Sequence, residues 1–99
     1  MRVISRSRLL KFADRDQSAT EALDVWYRLA RKAEWENLSE VRETFRSADA
    51  VGNFTVFNIK GNQYRLIVDI DYSRQRIFIK YVLTDQEYDK DGWKRDPYY

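Results

Sequence analysis

Ninety-nine residues, 43% hydrophobic and 15% aromatic, point to one folded domain rather than a disordered segment. The chain has neither cysteine nor histidine, so there is no disulfide framework and only carboxylates are left to hold a metal. No metal and no cofactor is therefore expected. Eighteen basic residues against 16 acidic ones give a net charge of +2, too even a balance to signal nucleic acid without knowing where the charges lie.

The first residues, Met1 to Arg6, lack the apolar core and small-residue cleavage site of a secretory signal. No stretch approaches the roughly 18 apolar residues of a membrane span. The expectation is a cytoplasmic chain with no membrane partner. Met1 to Ile4 suits a short strand, and Ser5 to Asp14 a basic amphipathic helix with Leu9, Leu10 and Ala13 along one side. Ser18 stands three residues before Glu21 in a capping-box pattern, ahead of Ala19, Ala22, Leu23, Trp26, Leu29, Ala30 and Ala33 at helical spacing. Asn37 and Glu40 repeat that pattern before Leu38, Val41 and Phe45, which predicts a short third helix.

Composition changes around Val51-Gly52-Asn53, and three strand-like runs follow: Phe54–Lys60, Gln63–Tyr72 and Arg76–Leu83. Gly61-Asn62 is a two-residue hairpin signal, and Tyr72 to Gln75 a second turn. The predicted class is α+β, with N-terminal helices packed on a C-terminal antiparallel sheet. The helical half spans about 5–46, the sheet half about 54–84, and a charged, aromatic tail 85–99, all within a single domain.

With Gly61-Asn62 as the loop, Asn58 faces Arg65 and Phe57 faces Leu66, and alternation assigns every other side chain. One face carries Phe57, Ile59, Tyr64, Leu66, Val68 and Ile70, joined by Ile77, Ile79 and Tyr81 if the second turn also has two loop residues. The helices would cover this wall. The other face carries Asn58, Lys60, Arg65 and Lys80 among Val56, Ile67, Phe78 and Val82, with Asp69 and Asp71. Its cations have two readings of about equal weight. They are solvated strand residues that guard against edge pairing, or they grip a phosphate backbone.

The block Phe54 to Val68, with Asn58-Ile59-Lys60-Gly61-Asn62-Gln63-Tyr64-Arg65-Leu66 at its centre, resembles the HigB-type toxins. Ile77-Phe78-Ile79-Lys80, the stretch Leu83-Thr84 to Glu87-Tyr88-Asp89, and Ala33 to Arg42 extend the resemblance over nearly the whole chain. These toxins belong to bacterial type II toxin–antitoxin pairs and are related to the RelE messenger-RNA interferases. The resemblance implies an endoribonuclease that drives the ribose 2′-hydroxyl onto the adjacent phosphate, on or off the ribosome. It also implies a HigA-type antitoxin partner with a helix-turn-helix. Such chemistry needs a base, cations for the developing charge, and an acid for the leaving oxygen.

Carried over by matching position, the resemblance implies catalytic roles for Arg65, Lys80 and Tyr88, and Asp85 is a fourth candidate because it stands where the family has a catalytic residue. It implies RNA contacts from Lys60, Arg65 and Lys80; Asn58, on the same face by register, and Arg74, a cation of the second turn, are added to them from the residues alone. One departure matters. The family pattern places histidine after Thr84, and here that position is Asp85. Asp85 is then the base, or Arg65, Lys80 and Tyr88 suffice without it, or the chain is attenuated. The alternative to a nuclease is a non-catalytic toxin-fold module that binds RNA or a protein target; a structural or interaction protein with uninformative surface charge is the third class.

Overall fold

Why the chain needs two layers of cover is visible in its first long strand, where Phe54, Thr55, Val56 and Phe57 are buried in succession. Alternation sends neighbours to opposite faces, so four buried residues in a row require both faces to be covered. The computed structural model describes residues 1–99 and shows what covers each.

The elements run β1 (Arg2–Ile4), α1 (Ser7–Arg15), α2 (Thr20–Lys32), α3 (Leu38–Thr44), β2 (Asp49–Val51), β3 (Phe54–Ile59), β4 (Tyr64–Asp71), β5 (Arg76–Thr84) and α4 (Asp85–Asp89). A 3₁₀ turn at Gln17–Ala19 joins α1 to α2, and another at Gly92–Arg95 follows α4. The five strands form one sheet in the order β1-β5-β4-β3-β2. β1 lies parallel to β5 and the other pairs are antiparallel. The α+β class and the short N-terminal strand are as expected. No helix is long and apolar enough to cross a membrane.

On one face the helices close over Phe57, Ile59, Leu66, Val68, Ile77 and Ile79, with Leu9, Phe12, Leu23, Trp26, Trp35 and Val41 opposite. Four aromatic rings, Trp26, Trp35, Phe45 and Phe57, interlock with centroids 5.3–6.5 Å apart. Such pairs add about 0.5–1.5 kcal/mol each beyond their buried area. The second face is covered too. Phe54, Val56 and Ile67 pack with Trp93, flanked by Val51, Tyr81, Leu83, Tyr88 and Tyr99. The expected open, half-basic face is thus largely a second small core, roofed by the tail.

Four local expectations need correction. The hairpin register is as expected, Asn58 opposite Arg65 and Phe57 opposite Leu66. However, the left-handed residues of its turn are Lys60 (φ 52°) and Gly61 (φ 66°), so the turn begins one residue before the expected Gly61-Asn62 loop. A β-bulge shifts the β4–β5 register, so Ile67 pairs with Tyr81 and Val68 with Ile79, leaving Lys80 as the extra residue. Beyond it the faces exchange: Tyr81 joins the second core and Val82 packs against the first. The expected capping role of Ser18 does not occur. Asp16 accepts from the Ser18 amide, and α2 starts at Thr20 without a side-chain cap. The Ser18 hydroxyl instead bonds Asp16 and Tyr64, whose hydroxyl donates to Asp16 at 2.7 Å. Finally, β2 was not foreseen; it pairs with β3 through a tight turn in which Gly52 sits at φ 60°.

Candidate functional site

Five of the predicted site residues, Asn58, Lys60, Arg65, Asp85 and Tyr88, come from the hairpin β3–β4 and from the point where β5 leaves the sheet. Arg65 on β4 lies between Asn58 on β3 and Leu83 on β5. One residue past Leu83, opposite Tyr64, Thr84 stops the strand and starts α4. Its hydroxyl accepts from the Glu87 amide at 3.2 Å, and its own amide donates to the Glu87 carboxylate at 3.0 Å, a complete capping box. Glu87 also receives Arg15 of α1 at 2.9 Å. These bonds, led by the Thr84 amide, hold the Glu87 carboxyl below its usual range. The Asp85 amide donates to the Gln63 carbonyl at 3.1 Å, which seats the new helix against the hairpin loop.

Asp85 is thereby delivered to Arg65. The guanidinium meets the carboxylate at 2.9 Å, donates to the Asn62 carbonyl at 2.5 Å, and lies 5.4 Å from the centre of the Tyr88 ring. Arg65 is 15% exposed and Asp85 51% exposed, so the cation is held from below and reached from outside. Burial pushes the Tyr88 phenol above its ordinary value, against the opposing pull of Arg65 and Lys94. It is therefore a proton-bearing hydroxyl at neutral pH. Of the expected catalytic set, Arg65, Asp85 and Tyr88 form one cluster.

Asn58, paired with Arg65 across the hairpin, and Lys60, in its turn, are both exposed. Lys60 also contributes to lowering the Asp16 carboxyl, an effect led by the hydrogen bond from Tyr64. Lys80 is not part of the group. The bulge carries it past the Ile67–Tyr81 pair, where it meets Asp96 at 3.3 Å and the Tyr98 ring at 4.9 Å. The Asp96 carboxyl is held low by the Tyr98 amide, the Tyr81 hydroxyl and Lys80. Arg74 sits in the β4–β5 turn beside Asp71 at 3.9 Å. Asp71 lies six residue steps along the strand from Arg65, about 20 Å at roughly 3.3 Å per residue.

Two contributors escaped the sequence reading. The Thr84–Glu87 box carries the same four-residue signature that was noticed at Ser18–Glu21, and here it forms. Trp93 stacks on Tyr88 with centroids 5.2 Å apart and planes at 14°; no periodicity marks it.

Comparison with known proteins agrees with the resemblance. Residues 19–91 match the HigB toxin family, described as the RelE-like toxic component of a toxin–antitoxin system. The chain is also similar to a protein of Escherichia coli O6:H1 named mRNA interferase HigB, with 27% identity over 93 residues, covering 91% of this chain and 90% of that one.

Proposed function

Because the chain belongs to the HigB family of RelE-like toxins, we propose that it is an endoribonuclease that cuts messenger RNA at Arg65, Asp85 and Tyr88. We propose also that a HigA-type antitoxin keeps it silent. The observation that carries this reading is the convergence of a cation, a carboxylate and a protonated phenol from β4 and α4 on one partly exposed corner.

In the reaction, the ribose 2′-oxygen attacks the adjacent phosphorus. A P–O2′ bond forms and the P–O5′ bond breaks, leaving a 2′,3′-cyclic phosphate and a 5′-hydroxyl. The Arg65 fork binds the phosphate and stabilises the charge that builds on it. Asp85 is released from Arg65 as the phosphate enters, and its carboxylate takes the 2′-hydroxyl proton. Tyr88, kept protonated by burial, gives its proton to the leaving 5′-oxygen. Lys60 and Asn58 contact the flanking backbone. Lys80, already engaged by Asp96, acts from a distance through the tail. Arg74 touches RNA only if the strand runs the length of the sheet.

The Arg65–Asp85 pair also favours a second reading, a toxin fold that binds RNA and cuts it slowly or not at all, because the carboxylate occupies the cation that phosphate needs. Incubation of the pure protein with RNA, alone and with ribosomes, separates the two. Cleavage supports the nuclease; retention of intact RNA supports the binding module. Co-expression with a neighbouring helix-turn-helix frame is expected to give a copurifying complex and to relieve growth arrest. Harmless expression without any such partner would refute the toxin reading.

A further inference from the structure

α4 has only five residues, far too few to hold its own shape in water. The direction of Tyr88, near its end, must therefore be set from outside the helix. What sets it is the segment that follows. Asp91 takes a left-handed conformation at φ 57°, turning the chain back over the sheet. Trp93, 5% exposed, then lies flat against Tyr88, and its indole N–H donates to the Tyr88 carbonyl at 3.1 Å. Both the ring and the backbone of Tyr88 are thus held by one side chain.

Trp93 is itself fixed from the sheet. The Tyr99 ring meets it edge-on at 5.4 Å and meets Phe54 at 6.1 Å. Gly52 admits Tyr99 so closely that a Cβ there would lie 2.7 Å from the ring. Asn53 donates to the Tyr99 carbonyl through its amide at 3.2 Å and its side chain at 3.0 Å. Midway, Asp96 accepts from the Tyr81 hydroxyl at 2.7 Å and meets Lys80 at 3.3 Å. The chain of contacts runs from the β2–β3 turn through Tyr99 and Trp93 to Tyr88, and the segment lies beyond the family match, which ends at residue 91.

We infer that residues 92–99 form a clasp that positions Tyr88 for the RNA-cleaving step, with Trp93 as the positioning residue and Tyr99 as its anchor. This rests on the reading of Tyr88 as the acid of that step. Trp93 touches no substrate; it acts through Tyr88. Lys80, which matches a family position yet stands apart from Arg65, then serves the reaction through the clasp by holding Asp96.

The test compares kcat and KM on an RNA oligonucleotide for Trp93→Leu, Trp93→Phe and Tyr99→Ala, each with Tyr88 intact and as Tyr88→Phe. Displacing a reacting group by about an ångström costs on the order of 10²-fold in rate. Trp93→Leu and Tyr99→Ala are expected to lower kcat by that order while KM holds. Trp93→Phe keeps a ring to stack and is expected to recover most of the loss. With Tyr88→Phe already present, Trp93→Leu is expected to add little, because both changes disable one device. A KM effect with kcat unchanged, or fully additive losses, would overturn the inference. A second readout needs no activity. The fluorine resonance of 3-fluorotyrosine at position 88 is expected to move in Trp93→Leu and in Tyr99→Ala, since each disturbs the ring stacked on it. An unmoved resonance in folded Tyr99→Ala overturns the clasp, even if Trp93→Leu fails to fold. Should the wild-type protein cut no RNA, the nuclease reading fails, and the fluorine resonance still decides whether the clasp sets Tyr88.

Discussion

Replacing Asp85 by asparagine removes a charge while keeping the shape, and the geometry predicts effects of opposite sign on binding and on cleavage. Asp85 and Arg65 are 2.9 Å apart, with the aspartate half exposed. An ion pair so open to water is worth about 0.2–1 kcal/mol. An incoming phosphate must displace that pair, so Asp85→Asn is expected to tighten RNA binding by up to about fivefold, at tenfold per 1.4 kcal/mol. The salt dependence is expected to steepen by as much as about 0.7 in log–log slope, one single-strand phosphate contact no longer offset by the carboxylate. Cleavage is expected to slow, because the same carboxylate is the one proposed to take the 2′-hydroxyl proton. Fluorescence anisotropy with a labelled oligonucleotide across a salt series measures the first two, and single-turnover cleavage the third. Unchanged or weaker binding would refute the competition between Asp85 and phosphate. Tighter binding with undiminished cleavage would remove Asp85 from the chemistry and leave Arg65 and Tyr88 to carry it.

Thr84→Ala deletes the N-cap of α4 and is expected to cost about 1 kcal/mol in urea unfolding; a change near zero would mean the box contributes nothing. Ser18→Ala is expected to destabilise by about 1 kcal/mol through its bonds to Asp16 and Tyr64, and by much less when Tyr64→Phe is already present. Equal losses in both backgrounds would point to a helix cap after all. Asp16, Glu87 and Asp96 are all more acidic in the folded chain, held by Tyr64, by the Thr84 amide and by the Tyr98 amide respectively. Their stabilisation is complete above the unfolded carboxyl pKa of about 4 and is lost as pH falls through the folded values. Asp69, raised by burial, opposes this trend singly. Unfolding measured from pH 3 to 7 is expected to show stability falling at the acid end, less steeply in Asp96→Asn; an unaltered acid slope in that variant would contradict the role given to Asp96.

Register was legible because side-chain period and loop length agree: Phe57, Ile59, Leu66 and Val68 read as one wall, and Asn58 necessarily faces Arg65. The bulge at Lys80 has no comparable signature, since one extra residue alters no composition and no turn. It nevertheless turned Tyr81 and Val82 to the faces opposite those expected. At Ser18 the four-residue pattern is present but forms no cap, because Asp16, two residues earlier, accepts from the Ser18 amide that Glu21 would take in a capping box. The tail was underestimated because Tyr88, Trp93 and Tyr99 follow neither helical nor strand spacing. The sign that something covered the second face lay elsewhere, in Phe54-Thr55-Val56-Phe57, which is too apolar for a strand with one wet side. Of the site, Arg65 and Tyr88 match the family and Asp85 stands where the family has histidine, and the three are adjacent in the fold; Lys80, which also matches, and Arg74, read from charge alone, are separated from them by strand geometry that neither matching nor composition carries.

The nuclease account meets its most direct test in the chemistry of the cut ends. An RNA oligonucleotide cleaved by the wild-type protein, with ribosomes supplied if they prove necessary, is expected to yield a 2′,3′-cyclic phosphate and a 5′-hydroxyl. A single 2′-deoxy substitution at the cut position is expected to abolish cleavage there, since the nucleophile is gone. Arg65→Ala is expected to slow the same cut by about 10²–10³-fold, the usual loss of one transition-state donor, and Arg65→Lys to lose much of the rate despite its charge. Ends bearing a 5′-phosphate and a 3′-hydroxyl, or a 2′-deoxy site cut as fast as its ribose parent, would contradict the account.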